Sequence, residues 1–64
     1  EGLDAYRRLA PDAARLLKEG GLLALEIGQG QGDAVREILR EAGLESTAAA
    51  TDLAGIERCL LFGR

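Results

Sequence analysis

The sequence has no histidine and a single cysteine, Cys59. Without histidine there is no Ser–His or Cys–His pair for nucleophilic catalysis. One cysteine cannot close an intramolecular disulfide, and a structural zinc site has too few ligands. Tyr6 and Phe62 are the only aromatic residues, which leaves no base-stacking surface and hands the core to Leu, Ala, Ile and Val. Acidic residues outnumber basic ones, eleven to eight. The formal net charge is −3 and the pI about 4.8, so a free-standing nucleic-acid binder with a basic patch is not expected. The longest apolar run, Leu22 to Ile27, is interrupted by Glu26 and is far too short to cross a bilayer. No signal-peptide pattern opens the chain. A cytoplasmic protein with no membrane partner is the expectation. The first residue is Glu1 and not Met, which suggests a chain cut from, or begun inside, a longer reading frame.

What is present suits a folded chain: 47 % of residues are apolar and 30 % charged. At 64 residues it buries only about 60 % of its unfolded surface and is marginal without help. The organising stretch runs from Gly20 to Gly32. Gly20-Gly21 launches the apolar run Leu22 to Ile27, and Gly28-Gln29-Gly30-Gln31-Gly32 hands it to a helical pattern. A buried parallel strand passes into a crossover helix in this way.

Before it, Leu3, Tyr6, Leu9, Ala13, Leu16 and Leu17 recur at helical spacing and predict an apolar stripe from about Leu3 to Lys18. Pro11 either starts a second segment or kinks one helix; the unbroken stripe favours the kink. Gly20 or Gly21 supplies the left-handed stop. Leu22 to Ile27 is expected to be a strand buried on both faces. After the glycines, a helix from about Gln31 to Ala42 turns Val35, Ile38, Leu39 and Ala42 inward, with Gly43 as its cap. Asp33/Arg36 and Glu37/Arg40 are spaced for surface ion pairs. Leu44 to Thr51 is a weaker strand, followed by turn chemistry from Asp52 to Gly55 and a second apolar run, Arg58 to Phe62. The order is helix, strand, helix and an antiparallel hairpin: an α/β half-domain.

Each candidate motif has a plain structural reading beside its functional one. Gly28 to Gly32 resembles a phosphate loop at a helix N-terminus. It misses the dinucleotide pattern because its third glycine comes one residue early, and no Gly-Lys-Ser/Thr follows; a structural turn is favoured. Glu26 is either a strand-end carboxylate reaching solvent or a group at the carboxyl edge of the sheet, where such folds bind ligands. Cys59 inside an apolar strand is expected to pack as a small hydrophobe. Asp52, Gly55 and Arg58 form either a binding cluster or, more commonly, a turn glycine with an Asp–Arg pair steadying a hairpin. No catalytic residue can be named from these patterns.

Four stretches in register resemble one family. Gly2-Leu3-Asp4-Ala5-Tyr6-Arg7-Arg8-Leu9 leads, followed by Leu16-Leu17-Lys18-Glu19-Gly20-Gly21. Leu25-Glu26-Ile27-Gly28-Gln29-Gly30-Gln31-Gly32-Asp33-Ala34-Val35 comes next, and Asp52-Leu53-Ala54-Gly55-Ile56-Glu57-Arg58 closes the set. Together they are similar to the C-terminal portion of the HemK/PrmC proteins. These are S-adenosylmethionine-dependent class I methyltransferases that modify the glutamine of the Gly-Gly-Gln motif in peptide chain release factors. The resemblance implies the C-terminal part of a Rossmann-like sheet, with its last strand antiparallel between its neighbours. It implies residues 1–64 as an incomplete part of the domain, inactive alone, with a release factor as partner and S-adenosylmethionine as cofactor. The family's cofactor loop follows the first strand, and its N-P-P-Y motif orients the target amide. The chain contains no Asn, so no catalytic, cofactor-binding or metal position carries over. Gln29 and Gln31 are placed on the substrate side of the carboxyl edge.

Three rivals stand beside this reading. One is a fragment of an N-P-P-Y enzyme acting on nucleic-acid bases, which the resemblance at Asp52 to Arg58 disfavours. Another is a non-enzymatic module binding an anion at Gly28 to Gly32. The third is a structural α/β piece that self-associates through an exposed sheet edge.

Overall fold

A computed structural model describes residues 2–64. The chain runs α1 (Asp4–Leu16), β1 (Leu22–Glu26), α2 (Gly32–Glu41), β2 (Glu45–Thr51) and β3 (Glu57–Gly63). The sheet order is β1-β3-β2. β3 is antiparallel to both neighbours, so β1 and β2 run parallel to each other across it. Leu25 and Ala49 both pair with Leu60, and Leu23 and Ser46 both pair with Phe62. This is the α/β ending that the resemblance implied, including its central antiparallel strand.

One layer of helix lies on one face of the sheet. Ala10 and Ala14 of α1, Val35 and Leu39 of α2, Ile27, Leu44, and Leu60 and Phe62 of β3 form a single buried cluster. Phe62, Leu39, Leu44, Leu60 and Val35 are its largest fully buried side chains, each worth about 1.5–3 kcal/mol over exposure. Leu23 and Leu25 pack against this cluster from β1. The expectation that β1 is buried on both faces is corrected. Leu22, Ala24 and Glu26 are exposed, because only the face carrying Leu23 and Leu25 meets the helices.

α1 is one helix through Pro11, without a second start. Proline has no N–H to donate to the carbonyl of Arg7, and Arg7 is exposed, so water can serve that oxygen instead. The stripe expected on α1 is borne out at Leu3, Tyr6, Ala13 and Leu17, which pack against the core, and corrected at Leu9 and Leu16. The buried line passes through Ala10 and Ala14, while Leu16 is 72 % and Leu9 37 % exposed. Small residues fill the line where α1 meets α2. Nor does Gly20 cap the helix. α1 stops at Leu16, Leu17 is extended, and Gly20 takes its φ of +84° in a Lys18–Gly21 turn closed by the Gly21 N–H to the Lys18 carbonyl at 2.8 Å. α2 ends as expected, with Gly43 at φ +99° and its N–H donating to the Arg40 carbonyl.

Candidate functional site: the carboxyl edge of the sheet

Because β1 and β2 are parallel, their carboxyl ends lie at one end of the sheet. The Gly28–Gly32 turn leaves β1 there, and the Asp52–Ile56 turn leaves β2 there. Ile27 ties the two together by donating its N–H to the Arg58 carbonyl at 3.0 Å. Tyr6 fixes α1 to the same end: its hydroxyl donates to the Glu26 carbonyl at 2.6 Å.

The glycine turn is internally committed. Gln31 Oε1 accepts from the Gly28 N–H at 2.9 Å, and the Gly28 carbonyl accepts from the Gln31 N–H at 3.1 Å. A Cβ on Gly28 would stand 3.0 Å from that same Oε1. Gly30 takes φ +81°, a conformation that costs an L side chain roughly 1–2 kcal/mol. Gly32 opens α2 against the Glu57 carboxylate, which would have to swing aside for a Cβ. Each glycine thus has a local structural reason, which the tight-turn reading accommodates without a phosphate. Gln29 is exposed, whereas Gln31 is half-buried and holds the turn with its side chain.

The hairpin turn is built around one carboxylate. Asp52 Oδ1 accepts from the N–H groups of Ala54 at 2.9 Å and Ile56 at 3.1 Å, and Oδ2 accepts from Arg58 Nε at 2.9 Å. These contacts, the Ile56 N–H foremost and then the Arg58 guanidinium, hold the Asp52 carboxyl below its usual range. The Asp–Arg pair read from the sequence is present. Sequence spacing did not reveal a second pair, between Arg36 of α2 and Glu57 at the start of β3. Glu57 is lowered chiefly by its hydrogen bonds to Arg36, and Arg36 is raised chiefly by the same bonds. The Asp33–Arg36 and Glu37–Arg40 pairs form as spaced, at 3.2 and 2.6 Å.

Glu26 is exposed and uses its backbone, not its carboxylate, to receive Tyr6. Cys59 is half-buried in β3, opposite Glu26 and Ala50. Among the described residues, no group of three or more His, Cys, Asp or Glu side chains could hold a metal, and no helix is long and apolar enough to cross a membrane. A surface groove of about 490 Å³ between α1 and α2 is lined by Arg7, Ala10, Pro11, Ala14, Ile38, Glu41 and Ala42. None of the residues singled out at the carboxyl edge lines it. A second cleft of about 270 Å³ lies between Leu9, Ala13, Leu16 and Leu17 of the α1 end and Leu23 of β1.

No family model matches the chain, and no solved structure matches it either. Curated relatives do. A release factor glutamine methyltransferase of Moorella thermoacetica is 53 % identical over 100 % of the chain and 23 % of its own length. Those of Caulobacter vibrioides and Rhodospirillum rubrum are 46 and 47 % identical, over 95 and 100 % of the chain and 21 and 20 % of their own lengths. The α/β fold with its central antiparallel strand is consistent with part of the class that these relatives' names define, the methyltransferases. Within that class the chain corresponds to a part of the HemK/PrmC family of release factor glutamine methyltransferases. It spans about a fifth of the length of these relatives.

Proposed function

We propose that the protein carrying this chain methylates the side-chain amide nitrogen of the glutamine in the Gly-Gly-Gln motif of peptide chain release factors. The observation behind this reading is identity of up to 53 % along the whole chain to relatives named for that activity. S-adenosylmethionine is the proposed methyl donor, a sulfonium whose methyl carbon is open to displacement. The described residues do not fit it: the first N–H of the glycine turn is already taken by Gln31, and the turn follows β1 as a structural link. Other parts of the protein hold the donor, and no step is assigned to this chain. Its proposed contribution is positional, since transfer of this kind depends on orientation and a prepared electrostatic site. Gln29, exposed at the carboxyl edge, is the proposed substrate-side residue; Gln31 acts there by holding the turn.

Residues 1–64 are proposed to be an incomplete part of the methyltransferase domain, inactive alone and residing in the cytoplasm. Among the described residues, the outer edge of β1 is unpaired and carries neither lysine nor proline, devices that commonly protect such an edge. Leu16, at the second cleft, is 72 % exposed, and Leu22, on the uncovered face of β1, is 65 % exposed. The same edge supports the alternative of self-association.

The decisive assay uses the full-length gene product, S-adenosylmethionine and an intact release factor, with the methylated residue located by mass spectrometry. One methyl group on the Gly-Gly-Gln glutamine is expected. Methylation of a nucleic-acid base instead would favour the N-P-P-Y rival. No transfer, together with a concentration-dependent dimer, would favour self-association.

A further inference from the structure

We propose that Glu57 is a positioning residue for methyl transfer: through Arg36 it holds the Gly28–Gly32 turn, and with it Gln29, in place against the sheet. This deepens the methyltransferase reading above and rests on it. The turn hangs from β3 at both ends. At its entry the Ile27 N–H donates to the Arg58 carbonyl at 3.0 Å. At its exit the preceding residue of β3, Glu57, receives both outer nitrogens of Arg36: Nη1 donates to Oε1 at 3.2 Å, and Nη2 donates to Oε2. Arg36 stands one turn into α2 and also donates to Asp33 at 3.2 Å. The Glu57 carboxylate lies against Gly32, where a Cβ would force it aside. Glycine at the first position of α2 thus lets the helix come close to the carboxylate.

Among the described ion pairs, this one alone joins a helix to the sheet; the others link residues three or six positions apart. Its side chains are 30 and 35 % exposed. A pair that still faces water contributes little to stability. Two parallel bonds between a guanidinium and a carboxylate do, however, fix an angle and a distance that one contact would not. The turn has need of that fixture, because its own bonds are local. Gln31 closes it onto Gly28 through its side-chain oxygen and its N–H. Among the described residues, no hydrogen bond ties Gln29 or Gly30 to another element. The turn leaves the carboxyl end of β1, the end at which open α/β sheets meet their ligands. A displacement of about 1 Å there, caused by a residue far from the chemistry, can lower a rate about a hundredfold.

The test uses the full-length protein and its Glu57→Gln, Arg36→Lys and Gln29→Ala variants, together with the Glu57→Gln/Gln29→Ala double variant. Hydrogen exchange needs no substrate. In Glu57→Gln it should quicken at the Gln31 amide, which closes the turn onto Gly28, with the melting temperature nearly unchanged. With an intact release factor as substrate, kcat should fall about tenfold or more and KM stay level. Arg36→Lys keeps the charge but loses the fork, and should fall likewise. In the Gln29→Ala background the Glu57→Gln loss should vanish, since the two residues act in series. Unaltered exchange at Gln31 would overturn the proposal. So would faster exchange at every amide with a lowered melting temperature, which is a global loss and not a positional one. Unchanged kcat, or a Glu57→Gln loss that persists in the Gln29→Ala background, would overturn the positioning role. Absence of transfer by the unsubstituted protein would instead remove the methyltransferase reading, and the positioning role with it, while the exchange result showed the Glu57–Arg36 tie to be real.

Discussion

Replacing Phe62 by alanine tests the packing that carries the carboxyl edge. Phe62 has no exposed surface and sits in the central strand, paired with Leu23 on one side and Ser46 on the other. Its ring belongs to the cluster that joins both helices to the sheet. Removing a buried Phe side chain costs about 3–5 kcal/mol through lost transfer energy and the cavity left behind. A unit of this size holds roughly 3–10 kcal/mol in total, at the usual stability per residue. Phe62→Ala should therefore remove from about a third to nearly all of it. Hydrogen exchange of the Glu57–Gly63 amides reads this locally, within whatever longer polypeptide surrounds the chain. Leu22→Ala is the comparison, since Leu22 lies on the uncovered face at 65 % exposure. With only the described contacts it should change protection by no more than about 0.5 kcal/mol. A loss below about 1 kcal/mol for Phe62→Ala would contradict the single-core account. A large loss for Leu22→Ala would show that a further element covers that face.

The turns and ties at the carboxyl edge make further predictions. Gly30→Ala should cost about 1–2 kcal/mol in thermal or chemical denaturation because φ is +81° there. Tyr6→Phe should cost about 1 kcal/mol by removing the bond to the Glu26 carbonyl, and should raise hydrogen exchange in α1. The carboxyls of Asp52 and Glu57 are both lowered in the folded state. Their stabilisation is therefore fully present above the ordinary carboxyl range near pH 4. It is lost as pH falls through that range towards the lowered folded values. The Ala54 and Ile56 amides should lose protection over that fall, and Asp52→Asn should flatten the pH dependence; an unaltered profile in the variant would refute the carboxylate clasp.

The second helix was legible almost to the residue because its signals agree: glycines before it, inward apolar residues at helical spacing, spaced ion pairs and a C-terminal glycine. The hairpin was legible from Asp52 and Gly55, whose turn chemistry outweighed the helical taste of Ala48 to Ala50. The inner face of α1 was legible in part, at Leu3, Tyr6, Ala13 and Leu17. Leucines dominate any reading of hydrophobicity, yet close helix contact is made by Ala10 and Ala14, leaving Leu16 outside. The two-sided burial read into β1 failed for a related reason: an apolar strand suits two covers, and the described elements provide one. At the site, local spacing exposed the Asp52–Arg58 pair but not Arg36–Glu57, which depends on α2 folding back onto β3.

Intact mass of the native polypeptide in its source cells, with peptide sequencing upstream of Glu1, tests the central claim most directly. The account predicts a protein close to the length of its relatives, of which this chain is about a fifth. Its upstream sequence should carry an earlier glycine-rich loop and the N-P-P-Y motif that the family resemblance implies. A native chain beginning at or near Glu1 would contradict the methyltransferase reading and leave a binding or self-associating module in its place.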